Sequence, residues 1–220
     1  MFDLHCHSIL SDGELLPSEL ARRAEELSIK GLVISDHVDV SNVDFVVPRL
    51  AKVSSQLSAV MKLVVKPGAE LTHIMPSELP GLVACARELG AELVLVHGET
   101  IVEPVLHGTN RAGIESGADV LTHPGLISEA DAALAAKLGV RLEISARKGH
   151  SLTNGHVARV ARETGAVLVF GSDAHSPGDL LDRTEAEKVA MGAGLVPDEV
   201  RELFEETERL FHGQKESLRR

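Results

Sequence analysis

The chain alternates seven short apolar runs with amphipathic stretches, and this alternation constrains the fold more than any other feature. Runs of β-branched and other apolar residues without polar interruption are typical of strands buried on both faces, as in parallel sheets. No linker or repeat interrupts the pattern over the 220 residues, so we expect a single α/β domain whose strands form a closed or nearly closed barrel. The predicted strands are residues 2–5, 31–35, 63–67, 92–96, 119–122, 140–144 and 167–170.

The stretches between the strands predict helices. Several end at a glycine just before the next strand, as at Gly90, Gly139 and Gly165, because a left-handed residue closes a helix. A doubly wound open sheet is the alternative architecture, but no glycine-rich phosphate loop follows the first strand. The predicted helices are residues 17–27, 51–61, 79–89, 110–116, 128–138 and 156–163, followed by a loop and helix at 177–191, a charged helix at 198–211 and a polar tail at 214–220.

Composition disfavours several classes of partner. The formal net charge of −11 disfavours non-specific binding to nucleic acid, and the absence of Tyr and Trp removes a base-stacking surface. Two cysteines, Cys6 and Cys85, provide no disulfide framework and fit a reducing compartment. No apolar run approaches the length of a membrane span. We therefore expect a cytoplasmic protein with neither a membrane nor a nucleic acid as its partner.

Metal-binding residue types recur where the predicted strands end. His5 and His7 are two apart on the first strand, so their side chains share one face and Cys6 points away. Two imidazoles on one face can bind one metal ion, and the carboxyl ends of barrel strands meet at one site. The set exceeds the needs of one ion and predicts two or three, bridged by Glu70. The candidate ligands are His5, His7, Asp12, His37, Glu70, His97, His123, Asp173 and His175.

Four motifs carry a family resemblance: Asp3-Leu4-His5-Cys6-His7-Ser8, Ser35-Asp36-His37, Thr122-His123-Pro124 and Ser172-Asp173-Ala174-His175. From residue 3 to about 176 the chain resembles the PHP (polymerase and histidinol phosphatase) superfamily, in particular its stand-alone, histidinol-phosphatase-like members. The resemblance implies that residues 1–220 form one distorted (β/α)7 TIM-like barrel with two or three Zn, Mn or Fe ions. It assigns His5, His7, Glu70 and Asp173 to one ion, Asp12, His37 and His175 to another, and Glu70, His97 and His123 to the rest of the cluster.

The sixth predicted strand has no evident metal ligand and ends in a basic stretch. Arg147 and Lys148 are candidates for binding a substrate phosphate, Arg147 through a bidentate guanidinium and Lys148 as a point charge. His150 and His156 are candidate general acids or phosphate contacts. Arg147, His150 and His156 are therefore the candidate catalytic residues.

The resemblance implies a metal-dependent phosphoesterase that hydrolyses a small phosphomonoester, similar to histidinol phosphate, by means of a metal-bound hydroxide. Three alternatives stay open: a PHP-type nuclease or phosphodiesterase, an amidohydrolase-like enzyme that cleaves C–N or C–O bonds, and a non-catalytic metal-binding accessory module. The acidic charge disfavours the nuclease, and the intact ligand set disfavours the accessory module. Amidohydrolase-like barrels usually bridge their metals differently and place the aspartate after an eighth strand.

Overall fold

A curved parallel sheet organises the computed structural model, which describes residues 1–213; the tail predicted at 214–220 lies outside the described residues. Seven strands follow the order β1-β2-β4-β5-β6-β7-β8, and the short β3 pairs with β4. All pairings are parallel, as the continuous apolar runs predicted. The strands are β1 (Phe2–Cys6), β2 (Gly31–Ile34), β3 (His37–Val38), β4 (Val64–Leu71), β5 (Leu93–His97), β6 (Val120–Thr122), β7 (Arg141–Ser145) and β8 (Leu168–Gly171).

Backbone hydrogen bonds beyond the end of β8 bring the two edges of the sheet together. The amide of Asp173 donates to the carbonyl of His5 over 2.8 Å, and the amide of His7 donates to the carbonyl of Ala174 over 2.8 Å. The sheet is therefore a nearly closed barrel of seven strands, and the predicted distorted TIM-like barrel is confirmed.

Eight α-helices surround the sheet in the part of the chain that the structure describes, and most begin and end within two residues of the prediction. The exception is α2, which begins at Val43 rather than at residue 51 and contains Pro48. Its early turns are helical because Val46 and Val47 are fully buried there. No helix within residues 1–213 is long and apolar enough to cross a membrane. The helices are α1 (Pro17–Glu26), α2 (Val43–Ser58), α3 (Leu79–Glu88), α4 (Thr109–Glu115), α5 (Glu129–Leu138), α6 (Asn154–Thr164), α7 (Arg183–Gly192) and α8 (Pro197–Phe211).

Strand β4 is longer than predicted, and its extension positions two site residues. The prediction ended at residue 67, but β4 continues to Leu71 because it pairs first with β2 and then with β3. In this register His37 lies directly beside Glu70. Glu70 is therefore within a strand, and the backbone ladder determines its position.

The amino ends of the strands are closed by α8. Phe211 packs on Phe2 with ring centroids 5.0 Å apart, and a Cβ on Gly31 would approach the Phe211 ring to within 2.6 Å. This close packing fills the lower half of the barrel with apolar side chains and leaves the polar side chains at the carboxyl ends. The inner core consists of Phe2, Leu4, Val33, Leu93, Leu95, Val120, Val169, Leu210 and Phe211.

A buried ion pair attaches α8 to the sheet and yields a stability prediction. Arg141 donates from Nε and Nη2 to Glu206 Oε1 over 3.1 and 2.8 Å, with 10% and 4% of the two side chains exposed. Glu206→Ala leaves the guanidinium buried without its carboxylate, so we expect a loss of about 3–5 kcal/mol in the free energy of unfolding, measured by urea denaturation. Glu205→Ala, on the exposed face of α8, is the matched control and should cost less than about 0.5 kcal/mol; equal losses would contradict the prediction.

Candidate functional site

The predicted ligands converge at the carboxyl ends of the barrel strands. His5, His37, Glu70 and His97 lie within β1, β3, β4 and β5, and the others lie in loops that directly follow strands. Among residues 1–213, side-chain donor atoms fall into sets whose members all lie within 4.8 Å of one another. These sets contain all nine predicted ligands, so the structure brings them together: His7 with Asp12, His37 and His175; His5 with His7 and Glu70; His5 with His123 and Asp173; and His97 with His123 and His150.

Glu70 is fully buried at the centre of the cluster. Its Oε2 lies 3.3 Å from His5 Nε2 and 2.8 Å from His37 Nδ1, and its Oε1 lies 3.4 Å from His123 Nε2. Thr122 Oγ1 donates to Oε1 over 2.7 Å and holds the carboxylate in place. One carboxylate facing three histidines from different strands has the arrangement of a bridging ligand.

Asp173 occupies a similar position on the other side of the histidine pair. Its Oδ1 lies 3.3 Å from both His7 Nε2 and His175 Nδ1. At the more exposed edge, Asp12 Oδ1 lies 3.1 Å from His175 Nε2 and 3.5 Å from His37 Nε2. The set around Asp12 contains His37 and His175, which the resemblance assigned to the same ion, together with His7, whereas Asp173 falls in a set with His5 and His123.

The partition differs on the side of His97. The resemblance grouped His97 with Glu70, but the carboxylate that contacts His97 Nε2 is Glu103, at 3.2 Å. His150, predicted as a catalytic residue, joins His97 and His123 as a third imidazole, and its ring stacks on that of His123 with centroids 4.0 Å apart. This side of the site therefore contains two side chains outside the predicted ligand set, Glu103 and His150, that could bind a metal ion.

Burial and neighbouring charges shift the pKa values of several groups in the cluster. Burial lowers the pKa of His7 to about 3, so its ring is neutral at physiological pH. Although burial opposes ionisation of Glu70, the imidazoles of His5 and His37 hold its pKa well below the usual range. Burial likewise opposes ionisation of Asp173, and His5 and His7 lower the pKa of that carboxyl. Despite burial, the carboxylates of Glu143 and Glu70 raise the pKa of His5 well above its usual range, so a metal ion that binds this imidazole would displace its proton.

Several buried donor atoms of the cluster have no hydrogen-bond partner. Within residues 1–213, seven buried side-chain nitrogen or oxygen atoms lack one, and five of them belong to the cluster. Such atoms carry a desolvation cost unless something binds them. His5 Nε2 and His7 Nε2 both face Glu70 Oε2, at 3.3 and 3.7 Å, and a divalent ion among these three atoms would remove that cost. The five atoms are His5 Nε2, His7 Nδ1, His7 Nε2, Glu70 Oε2 and His123 Nδ1.

Glu143, on β7, supports two ligands from beneath and was not predicted as part of the site. Its Oε1 lies 2.7 Å from His5 Nδ1, and its Oε2 accepts the backbone amide of His123 over 3.0 Å. The side chain is 1% exposed. A carboxylate that accepts from Nδ1 directs Nε2 of the same imidazole toward the cluster, as in carboxylate–histidine–metal arrangements.

Gly171 leaves room for this contact and supplies a matched test. A Cβ there would approach Glu143 Oε1 to 2.1 Å and the His5 Cβ to 2.7 Å. Gly171→Ala should therefore displace Glu143 and weaken metal binding by about 10-fold to 100-fold, measured by chelator competition. Gly192→Ala is the control, because a Cβ at Gly192 meets no atom within 4 Å; equal affinities in the two variants would contradict this role of Glu143.

The basic stretch after β7 contributes Arg147 and His150 but not all of its predicted members. Arg147 is partly buried, and its Nη1 donates to the Asp173 carbonyl over 3.3 Å. Lys148 is exposed and does not line the cavity above the cluster. His156 lies on α6, and its Nε2 is 2.8 Å from the carbonyl of Ile127, so the structure does not bring it to the cluster. The chain turns from this loop into α6, so Arg147 and His156 lie apart although they are close in sequence.

His150 has one ring nitrogen beside a hydroxyl group and the other facing the cluster. Its Nδ1 lies 2.7 Å from Thr100 Oγ1, which leaves Nε2 facing the cluster. Burial, together with the neighbouring His123, lowers the pKa of His150 to about 4. At neutral pH its ring is therefore unprotonated, which suits metal binding.

A cavity of about 210 Å³ opens above the cluster. A larger groove of about 530 Å³ lies at the opposite end of the barrel, between α6 and α8, but the ligand sets are not there. The smaller cavity is therefore the candidate site. Its lining consists of Asp12, His37, Thr72, His73, His97, Glu103, His123, Arg147, His150, Asp173 and His175.

The backbone is strained at the same place. Of the four non-glycine residues with positive φ in the described chain, three line this cavity: His73, His123 and Asp173, with φ of 53°, 27° and 54°. Conformations of this kind cost free energy and cluster at functional sites, where the surrounding structure enforces them.

Comparison with known proteins places the chain in a family. It is 42% identical to the uncharacterized protein MJ1295 of Methanocaldococcus jannaschii, in a match that covers 100% of this chain and 99% of that protein. The chain belongs to the same family as this protein. A probable phosphatase of Shewanella sp. strain ANA-3 is 40% identical over a segment covering 33% of this chain and 37% of that protein. No protein-family model matches the chain.

Solved structures share the fold at low sequence identity. Histidinol phosphate phosphatase from Lactococcus lactis, solved with zinc, L-histidinol and phosphate, superposes with a TM-score of 0.61 at 16% identity, covering 89% of this chain and 94% of that chain. A chain from the crystal structures of YwqE from Bacillus subtilis and CpsB from Streptococcus pneumoniae, which are metal-dependent tyrosine phosphatases, superposes with a TM-score of 0.65 at 18% identity, covering 97% of this chain and 95% of that chain. An amidohydrolase superposes with a TM-score of 0.64 at 13% identity, covering 98% of this chain and 74% of that chain. The fold alone therefore does not separate these activities.

Proposed function

We propose that this chain is a metal-dependent phosphoesterase of the PHP superfamily that hydrolyses a small phosphomonoester, similar to histidinol phosphate. The observation that carries the proposal is the convergence of buried, unpartnered ligand atoms beneath a small cavity with Arg147 on its wall. The phosphatase names of the partial relative and of two structural neighbours support it.

The residues of the cluster fit two or three divalent ions. Imidazole ligands suit Zn and Fe, and the carboxylates of the same sets also suit Mn, whereas Mg and Ca prefer sites made of oxygen alone. Bound ions would lower the pKa of a coordinated water toward about 7 and neutralise phosphoryl oxygens. The residues that would hold them are His5, His7, Asp12, His37, Glu70, His97, His123, Asp173 and His175, with His150 as a further donor beside His97 and His123.

We assign the binding of the substrate phosphate to Arg147. Its side chain is 31% exposed, and its guanidinium is anchored at one end, where Nη1 donates to the Asp173 carbonyl. A guanidinium held this way can pair with phosphoryl oxygens without first being ordered. Lys148 and His156 are outside the cavity, so we assign neither to the reaction.

The size of the cavity favours a small ester over a polymer. About 210 Å³ is below the range of about 300–1,000 Å³ typical of sites that enclose drug-sized ligands, so it accepts a phosphoryl group with few additional atoms. The net charge of −11 repels a polyanionic strand. Both observations favour a phosphomonoester over a nuclease substrate.

The proposal is tested by rates of hydrolysis on a panel of substrates. Protein stripped by a chelator would be reconstituted separately with Zn, Mn and Fe and assayed on phosphomonoesters including histidinol phosphate, on phosphodiesters, and on amides. We expect metal-dependent release of inorganic phosphate from a monoester to exceed every other reaction. Faster hydrolysis of a phosphodiester would favour the nuclease, and faster hydrolysis of an amide would favour the amidohydrolase. No hydrolysis of any substrate, with metal bound, would favour the accessory module.

The variant Arg147→Met separates substrate binding from metal binding. It keeps much of the side-chain volume and removes the charge, so kcat/KM should fall about 100-fold while the number of bound ions is unchanged. Normal kcat/KM in this variant would remove Arg147 from the site.

A further inference from the structure

Two residues outside the predicted ligand set, His73 and Glu103, lie at the solvent-facing edge of the cavity; we call them the rim pair. Glu103 Oε2 is 3.4 Å from His73 Nε2 and 3.2 Å from His97 Nε2. The donor atoms of His73, His97 and Glu103 all lie within 4.8 Å of one another. The rim pair and His97 therefore form a set of two imidazoles and one carboxylate.

The spacing of this set is that of ligands around one ion. Tetrahedral Zn with bonds of about 2.0–2.1 Å places neighbouring ligand atoms about 3.3–3.4 Å apart, and both measured separations are close to this. His73 is held in place by a left-handed backbone with φ of 53°, and its ring stacks on that of His97 at 5.2 Å. Two histidines and one carboxylate leave coordination positions open for water.

His97 connects the rim pair to the buried cluster. Its Nδ1 lies 3.2 Å from the Gly98 carbonyl, which leaves Nε2 as the ligand atom. His97 belongs both to the set with His73 and Glu103 and to the set with His123 and His150. The outer position, at the rim pair, and the inner position, at His123 and His150, therefore share His97 as a ligand. Its Nε2 lone pair binds one ion at a time, so an ion can pass from the outer position to the inner one.

The exposed fraction of the side chains decreases from the rim pair toward the centre of the cluster. The side chains of His73 and Glu103 are 44% and 37% exposed, whereas those of His97 and His123 are 2% and 1% exposed. Glu70, at the centre, is fully buried. On this side of the cavity an ion from solvent thus meets the rim pair before it meets His97 and His123; Asp12, 56% exposed, borders His37 and His175.

We propose that His73, Glu103 and His97 form an additional divalent-cation site at the cavity edge, through which ions enter the buried cluster. The inference rests on the metal centre of the proposed function, but not on its substrate. Glu103 supplies the charge that attracts the ion, His73 and His97 supply nitrogen ligands, and transfer inward replaces the rim pair by His123 and His150.

The test is the rate at which chelator-stripped protein takes up Zn²⁺, followed by stopped-flow with a fluorescent zinc indicator. Glu103→Gln removes the charge at constant size, and His73→Asn removes the imidazole while tolerating the left-handed backbone. Each variant should lower the second-order rate constant of uptake about tenfold or more, and the final number of tightly bound ions should equal that of the wild type. The control is His107→Ala, which removes a fully exposed imidazole on the same loop as Glu103. This variant should take up Zn²⁺ at the wild-type rate.

Two results would overturn the proposal. Unchanged uptake rates in both rim-pair variants would remove the entry site, and loss of a tightly bound ion in Glu103→Gln would make Glu103 a permanent ligand of the cluster. Uptake is measured without substrate, so a protein that loads through the rim pair and hydrolyses no phosphoester contradicts the proposed function alone.

Discussion

Replacing Glu70 by glutamine should lower kcat for phosphomonoester hydrolysis by at least about 1,000-fold, which corresponds to about 4 kcal/mol of transition-state stabilisation. The carboxylate contacts His5, His37 and His123 from the centre of the cluster, so its charge serves more than one ion. Glutamine has the same shape and can still accept the hydrogen bond from Thr122 Oγ1. Initial rates with metal-reconstituted protein measure the effect.

The control for this prediction is Glu115→Gln, which neutralises an exposed carboxylate paired with Arg111 on α4. It should retain full activity, and both variants should unfold cooperatively with a native far-ultraviolet spectrum. Full activity in Glu70→Gln would contradict a reaction at this cluster.

Removal of bound metal should lower the melting temperature by about 8–16 °C. An ion present at 1,000 times its dissociation constant stabilises the folded state by about 4 kcal/mol, and each kcal/mol shifts Tm by about 2–4 °C in a chain of this size. The physical cause is the group of buried atoms without hydrogen-bond partners, which includes both ring nitrogens of His7. Thermal unfolding with and without chelator measures the shift.

Asp173→Asn is the companion variant for the stability measurement. Its side chain keeps its size but loses the charge that faces His7 and His175, so most of the metal-dependent shift should disappear. Re-addition of Zn should restore Tm in the wild type. Identical melting temperatures for stripped and reconstituted wild-type protein would show that metal binding and folding are not linked.

The sequence predicts the barrel because its strands are short, apolar on both faces and separated by helices of regular period. It does not predict β3, because two residues are too few for any period. The extension of β4 to Leu71 follows from pairing with β3, a contact between segments far apart in the chain. The sequence does not predict the early start of α2 because a proline such as Pro48 usually interrupts a helix. The burial of neighbours such as Val47 offsets the hydrogen bond that Pro48 cannot make.

The candidate ligands are predictable for a related reason: parallel strands bring their carboxyl ends to one face whatever the loops do. The role of Glu143 could have been predicted, because an acidic residue between Leu142 and Ile144 in an apolar strand needs a buried partner. The role of Glu103 could not, because it lies in an irregular loop whose path only the structure defines. His156, predicted as a catalytic residue together with Arg147, lies on α6 with its Nε2 at the Ile127 carbonyl, because the chain turns away from the cluster between the two residues.

The most direct test of the account is anomalous diffraction at the zinc absorption edge from crystals of reconstituted protein. We predict two or three peaks at the carboxyl ends of the strands, with Glu70 within bonding distance of more than one of them. Absence of peaks at this cluster, or a single peak that Glu70 does not contact, would contradict a multinuclear metal centre and the activity proposed from it.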